Sequence, residues 1–166
     1  QPIATDDGQI QIVVNGELYD FERIREELKS RGHKFSTESD SEIALHLYRE
    51  YGVECLQHLR GEFAIIIWDE RAKRLFAARD RFGIKPLVYA HYNGQLLLAS
   101  EAKALFAMGL PSAWDDESFF QASNMQYTLP DRTLFAHVRQ LEPGKYLLAH
   151  DNNVQTFTYW DLNYSR

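Results

Sequence analysis

Three short stretches of this sequence carry groups able to do chemistry. Asn15-Gly16-Glu17 follows a β-branched run, and an Asn amide with a Gly backbone N–H at that point makes two donors able to hold a developing oxyanion. Asn-Gly is also the commonest turn dipeptide, so a plain turn explains it on local grounds. Ser39-Asp40-Ser41-Glu42 has the spacing of a capping box. That motif accounts for Ser39 and Glu42 but makes no demand on Asp40. A carboxylate held at the mouth of a helix is suited to grip the ammonium of an amino-acid ligand. The third stretch, Ala78-Arg79-Asp80-Arg81-Phe82-Gly83-Ile84-Lys85-Pro86, is dense in Gly, Pro and both signs of charge. Its bland reading is a solvated loop whose Arg–Asp pair contributes little, and physics alone assigns it no reaction.

Other chemistries find little support. The single cysteine, Cys55, sits beside Leu56 and Leu59 and reads as a buried thiol on a helix, not a nucleophile. One cysteine excludes an internal disulfide and any cysteine-based metal cluster, and is compatible with a reducing compartment. His33, His46, His58, His91, His137 and His150 are scattered without the spacing of a zinc motif, so no metal site is expected. No glycine-rich phosphate loop is present. The charge balance of 18 Lys+Arg against 24 Asp+Glu gives −6, which disfavours a nucleic-acid or membrane-surface partner. No apolar stretch is long enough to span a bilayer.

The elements that must position these groups follow from periodicity. At 166 residues and 45% hydrophobic, the chain is long enough for one sizeable core, and no repeat or linker divides it. Gln9–Val14 alternates and predicts a strand stopping at Asn15-Gly16. Asp20 is placed to cap a helix with apolar positions Phe21, Ile24 and Leu28, ended by Gly32. The capping box opens a second helix with an inner face of Ile43, Leu47 and Tyr51, stopped at Gly52. Phe63–Trp68 is a continuous apolar run, as in a strand covered on both faces. Leu75–Ala78, Leu87–Tyr92 and Gln95–Ala99 predict further strands, with Asn93-Gly94 as a two-residue hairpin. Ser100 is placed to cap a helix over Glu101–Met108, and Asp115–Ser123 predicts another. Gly144–Ala149 and Val154–Tyr159 form a terminal hairpin about Asp151-Asn152-Asn153. Antiparallel strands needing cover on both faces predict an α+β domain with stacked sheets and flanking helices; the layer order stays open.

Taken in order, these stretches resemble a known family. Asn15-Gly16-Glu17-Leu18-Tyr19-Asp20-Phe21, Ser39-Asp40-Ser41-Glu42, Arg60-Gly61-Glu62-Phe63-Ala64, Trp68-Asp69, Ala78–Leu87 and Ser100-Glu101-Ala102-Lys103-Ala104-Leu105 are similar to the glutaminase domain of glutamine-hydrolysing asparagine synthetases. Arg132-Thr133-Leu134-Phe135, Leu141-Glu142-Pro143-Gly144 and Tyr159-Trp160 extend the resemblance, so it covers essentially the whole chain as one type 2 glutamine amidotransferase domain over residues 1–166. The resemblance implies an N-terminal-nucleophile fold, a four-layer αββα sandwich of two mainly antiparallel sheets flanked by helices. It implies that an N-terminal cysteine attacks the glutamine side-chain amide with its own α-amine as base. Asn15 and Gly16 would form the oxyanion hole, and Glu17 and Asp40 would bind the α-amino end of glutamine. No cofactor is implied for this domain. ATP and Mg belong to a following C-terminal synthetase domain, a homodimer is compatible with the pattern, and the cytoplasm is the implied location.

The sequence departs from the family pattern at its start. The nucleophilic cysteine and the Arg that clasps the substrate carboxylate are expected before Gln1-Pro2, and Cys55, with no free α-amine, is no substitute. The expectation is an N-terminally incomplete domain, inactive alone, with an unpaired sheet edge that favours aggregation or a partner. Two other readings are a non-catalytic scaffold of an asparagine synthetase-like enzyme, of the β-lactam synthetase or lasso-peptide cyclase type, and an independent amino-acid-binding module.

Overall fold

The computed structural model describes residues 1–151 and 153–164. Its elements run β1 (Ile3–Ala4), β2 (Ile10–Leu18), α1 (Phe21–Ser30), α2 (Ser41–Tyr51), a 3-10 turn (Gly52–Gln57), β3 (Gly61–Asp69), β4 (Arg74–Arg79), β5 (Val88–Tyr92), β6 (Gln95–Ala99), α3 (Ala102–Ala107), α4 (Asp116–Met125), β7 (Arg139–Gln140), β8 (Lys145–His150) and β9 (Asn153–Thr158). A six-stranded sheet has the order β1-β2-β3-β4-β8-β9 and a three-stranded sheet the order β6-β5-β7. Every strand pairing among the described residues is antiparallel.

Strand alternation sorts the apolar side chains into three seams. Ile10, Ile12, Ile65, Ile67 and Phe76 project from one face of the larger sheet onto Ile43, Leu47 and Tyr48 of α2 and Ile24 and Leu28 of α1. From its other face Ala64, Ala77 and Leu147 meet Leu87 and Leu141, with Tyr89, Leu96 and Leu98 of the smaller sheet packed against them. The outer face of the smaller sheet, through Val88, Ala90 and Leu97, buries Leu105 and half-buries Phe106 of α3. Helix, sheet, sheet, helix is therefore the layer order, and the α+β four-layer expectation holds. The apolar run of β3 is explained by this stacking, because its two sets of side chains feed two different seams.

Local signals account for much of this. Asn93 and Gly94 both take positive φ, 49° and 75°, as a primed two-residue turn requires, and β5 and β6 pair from Tyr92↔Gln95 outward. Asp115 caps α4, accepting from the Ser118 N–H at 2.8 Å.

Three expectations are corrected. The strand does not stop at Asn15-Gly16; β2 continues through both to Leu18, paired with β3 as Asn15↔Ala64 and Gly16↔Phe63. The capping box does not form: Asp40, not Ser39, is the N-cap of α2 and accepts from the Ser41 N–H at 2.8 Å, while Glu42 bonds the preceding loop. Asp20 and Ser100 do not cap helices with their side chains; Asp20 lies in the left-handed region before α1, and α3 starts after Glu101. The turn centred on Asn152 lies outside the described residues, although β8 and β9 pair as expected up to His150↔Asn153. No helix among the described residues is long and apolar enough to cross a membrane.

Candidate functional site

The exposed edge of β2 is built by strand alternation. Odd-numbered residues turn their peptide groups to β3, and even-numbered ones turn theirs away from it. Along that outer edge Ile10 O accepts from Thr5 N–H at 3.0 Å, and Ile12 faces Ile3 of β1. Val14 is bridged by the Gln1 carboxamide, which accepts from Val14 N–H at 2.8 Å and donates to Val14 O at 2.9 Å. Leu18 N–H donates to Asp40 Oδ2 at 2.7 Å. Gly16 stands between these last two, its N–H directed to the open side. Residues two apart in a strand lie about 6.6 Å from one another, so the Gly16 donor and the Asp40 carboxylate share one short length of edge.

Asn15 and Glu17 alternate with Gly16 onto the opposite face. Asn15 Nδ2 donates to Ser100 Oγ at 3.2 Å, tying the end of β6 to β2. A primary amide has two N–H donors, so this bond fixes the orientation of Asn15 and leaves one hydrogen over. Glu17 is exposed and, with Asp40, lines a groove of about 620 Å3 that also contains Tyr19, Glu38 and Ser39. Beside it Tyr19 Oη donates to Glu62 Oε1 at 3.1 Å, and this bond raises the Tyr19 phenol above its ordinary value. The four expected residues thus lie on one strand and the helix cap docked to it.

Backbone contact holds this edge in place. A Cβ on Gly16, whose φ is 139°, would meet Glu62 O at 1.9 Å, and one on Gly61, φ 152°, would meet Glu17 O at 2.2 Å. Each glycine leaves room for a carbonyl oxygen of the facing strand, which no L-side chain tolerates.

The charged stretch at Ala78–Pro86 has a different character. Arg79 is 8% exposed and donates to Gly83 O at 2.7 Å, Lys85 O at 2.8 Å and Leu141 O at 2.7 Å. Asp80 is 1% exposed and accepts from the N–H groups of Phe82, Ile84 and Lys85, each at 3.0 Å. Burial lowers the Arg79 pKa, opposed by the nearby Asp80 charge. This is not the solvated loop with a weak ion pair that local reasoning expects: the cation gathers carbonyls and the anion gathers amides, folding the loop around both. Tyr159 Oη donates to Arg79 O at 2.9 Å, Gly144 N–H donates to Asp80 O, and Trp160 packs edge-on to Phe82. Strings far apart in the sequence converge at this one corner.

Residues 1–160 match the glutamine amidotransferase domain family. The chain belongs to that family. This amidotransferase domain is 39% identical over 165 residues to asparagine synthetase [glutamine-hydrolyzing] 1 of Bacillus subtilis, covering 99% of this chain and 26% of that protein. It is 42% identical over 165 residues to amidase chry2 of Gibberella zeae, covering 99% of this chain and 24% of the amidase. The chain therefore spans about a quarter of the length of these curated relatives. Among solved structures, the glutamine phosphoribosylpyrophosphate amidotransferase of B. subtilis superposes with a TM-score of 0.67 at 22% identity, covering 96% of this chain and 32% of that one. The likeness to asparagine synthetases and the N-terminal-nucleophile type of fold are both borne out.

Three residues of the amidotransferase domain matter to the edge in roles that the sequence did not suggest. Ser100 orients Asn15, where its position before a helix had suggested a cap. Arg25 and Glu42 grip the loop leading to Asp40; Arg25 has no sequence signature beyond belonging to a helix, and the spacing of Glu42 suggests only the end of a capping box. Cys55 is 1% exposed in the 3-10 turn, and burial pushes its thiol up to about 12, which removes it as an attacking group. His46 is buried against His33, in a structural setting.

Proposed function

We propose that this domain is the glutamine-hydrolysing half of an asparagine synthetase-type amidotransferase, releasing glutamate and ammonia for an ATP-dependent amide-forming domain that holds the ATP and Mg. The observation that carries this reading is the Gly16 N–H at the open β2 edge, with the Asn15 amide beside it and the Asp40 carboxylate one residue pair away. Relatives bearing the names asparagine synthetase and amidase support chemistry at an amide.

In this reading a thiolate attacks the side-chain carbonyl carbon of glutamine, and the C=O electron pair moves onto oxygen. Asn15 Nδ2–H and Gly16 N–H receive that charge, a donor of this kind being worth roughly 2.7–4 kcal/mol in such a site. The C–N bond then breaks, its nitrogen taking the proton that the α-amine of the nucleophilic residue had received from the thiol. Water hydrolyses the thioester to glutamate and regenerates the thiol. Glu17 and Asp40 hold the substrate ammonium. Cys55 is excluded by burial, so the attacking cysteine and the carboxylate-clasping arginine are assigned to residues outside the 166 present, and this chain alone is expected to be inactive.

The test is titration calorimetry with L-glutamine alongside an ammonia-release assay. We expect measurable binding that Asp40→Ala abolishes, no ammonia from the chain itself, and release once a leading cysteine and the arginine-bearing segment precede Gln1. Binding untouched by Asp40→Ala rejects the site. Ammonia release by the bare chain that disappears in Cys55→Ala rejects the mechanism. A natural residue other than cysteine at the nucleophile position leaves the scaffold reading in its place.

A further inference from the structure

We propose that Arg25 and Glu42 are positioning residues, a two-sided clamp on the Ser36–Ser39 segment that sets the Asp40 carboxylate against β2. The inference rests on the reading of Asp40 as the amine-binding group and extends it to two residues that never face the groove.

The clamp divides the peptide groups of one short segment by polarity. From α2, the Glu42 carboxylate accepts from Ser36 N–H at 2.7 Å, Ser36 Oγ at 3.0 Å, Thr37 N–H at 2.7 Å and Thr37 Oγ1 at 2.6 Å. From α1, the Arg25 guanidinium donates to Thr37 O at 2.6 Å and Ser39 O at 2.6 Å. Its planar fork reaches the two carbonyls through two separate nitrogens, a fixed geometry that the single ammonium of a lysine does not have. The guanidinium also lies 4.8 Å over the Phe35 ring. The next residue after the clamped segment is Asp40, with one oxygen on Leu18 N–H and the other on Ser41 N–H.

Burial makes a merely incidental role a poor explanation. Arg25 is 5% and Glu42 1% exposed, and a charge removed from water is retained only where hydrogen bonds replace hydration. Among the described residues the carboxylate paired with Arg25 is that of Glu38, at 3.4 Å and fully solvated, so the buried guanidinium is directed at the loop. Burial alone would raise Glu42; the donors of Ser36 and Thr37 outweigh it and hold the carboxyl below its ordinary value. Two charged groups buried to fix four consecutive residues identify the position of that segment as the thing being controlled. What the segment delivers is Asp40.

The experiment compares glutamine affinity with the Leu18 amide proton shift in the 166-residue chain. That proton is held downfield by a charge-assisted bond to Asp40, so it reports the carboxylate's position without substrate. In Arg25→Gln we expect an upfield move of Leu18, unmoved resonances for the seam between the two sheets, and at least a tenfold rise in Kd. Arg25→Lys, which keeps charge but not the fork, is expected to behave like Arg25→Gln; recovery in the lysine variant assigns a charge-only role and overturns the clamp. Ser36→Ala/Thr37→Val removes two of Glu42's donors without exposing a buried charge, and serves even if Arg25→Gln fails to fold. It is expected to move Leu18 the same way and raise Kd at least threefold. An unchanged Leu18 shift and Kd in that pair overturns the proposal. Loss of binding in Asp40→Ala with normal binding in the clamp variants sinks the clamp alone, whereas normal binding in Asp40→Ala sinks the reading beneath it.

Discussion

The outer edge of β2 and the Arg79–Lys85 loop are both polar, glycine-bearing stretches at strand ends, and they use their hydrogen-bonding groups in opposite ways. In the loop, the Arg79 guanidinium is directed to three carbonyls and the Asp80 carboxylate to three amides. At the edge, the Gly16 N–H and one Asn15 amide hydrogen are left over, and the Glu17 and Asp40 carboxylates are among those lining an open groove. Charge density marks both regions; unused donors distinguish the one suited to chemistry. The loop is architecture that supports the corner, and the edge is the surface offered to a substrate.

Substitutions sharpen this contrast, taken from the largest expected effect to the smallest. Gly16→Ala places a methyl group on Glu62 O in a conformation that L-residues avoid, and should cost about 4 kcal/mol by combining overpacking with backbone strain. Chemical denaturation measures it, and a loss under 1 kcal/mol would show that the strands part easily. Asp80→Ala leaves three part-buried amides without their acceptor and should cost about 2 kcal/mol, while the folded fraction still binds glutamine; a binding defect at full stability would move the loop into the site. Asp40→Ala should show the reverse pattern, about 1 kcal/mol for a lost helix cap together with loss of glutamine binding.

Acidification gives the mildest test. His46 is held below its ordinary value of 6.5, first by burial and then by His33 and Arg49, with Glu42 opposing. Glu42 lies below its ordinary 4.5. Both pKa values are depressed on folding, so the unfolded chain takes up protons first as the pH drops. The melting temperature should begin to fall below pH 6.5, fall further below pH 4.5, and lose its first step in His46→Asn. A melting temperature flat from pH 7 to 5 would contradict the buried, neutral state of His46.

Much of the sandwich was legible because its signals are local. The β5–β6 hairpin follows from Asn93-Gly94, and the dual cover of β3 from its unbroken apolar run. β1 and β7 were not legible, since two residues carry no period. The Asn15-Gly16 turn signal misled because Gly16 serves a close approach between strands, a tertiary demand that a dipeptide preference cannot express. The position of Asp40 was found, yet its capping role was given to Ser39, because box spacing cannot tell which of two adjacent polar residues turns inward. Arg25 was invisible for a related reason: its partners are backbone carbonyls 12 and 14 residues away, and every residue type is equally able to supply those.

The reciprocal glycines give the β2 edge an unusual kind of foundation. Gly16 rests on the Glu62 carbonyl and Gly61 on the Glu17 carbonyl, so main chain bears directly on main chain with no side chain as an intermediary. Rotamer changes deeper in the interior have no lever on that contact. Drift in the composition of the apolar seams should therefore retune how firmly the domain holds together while the angle of the Gly16 N–H stays constant, allowing robustness and aim to evolve separately.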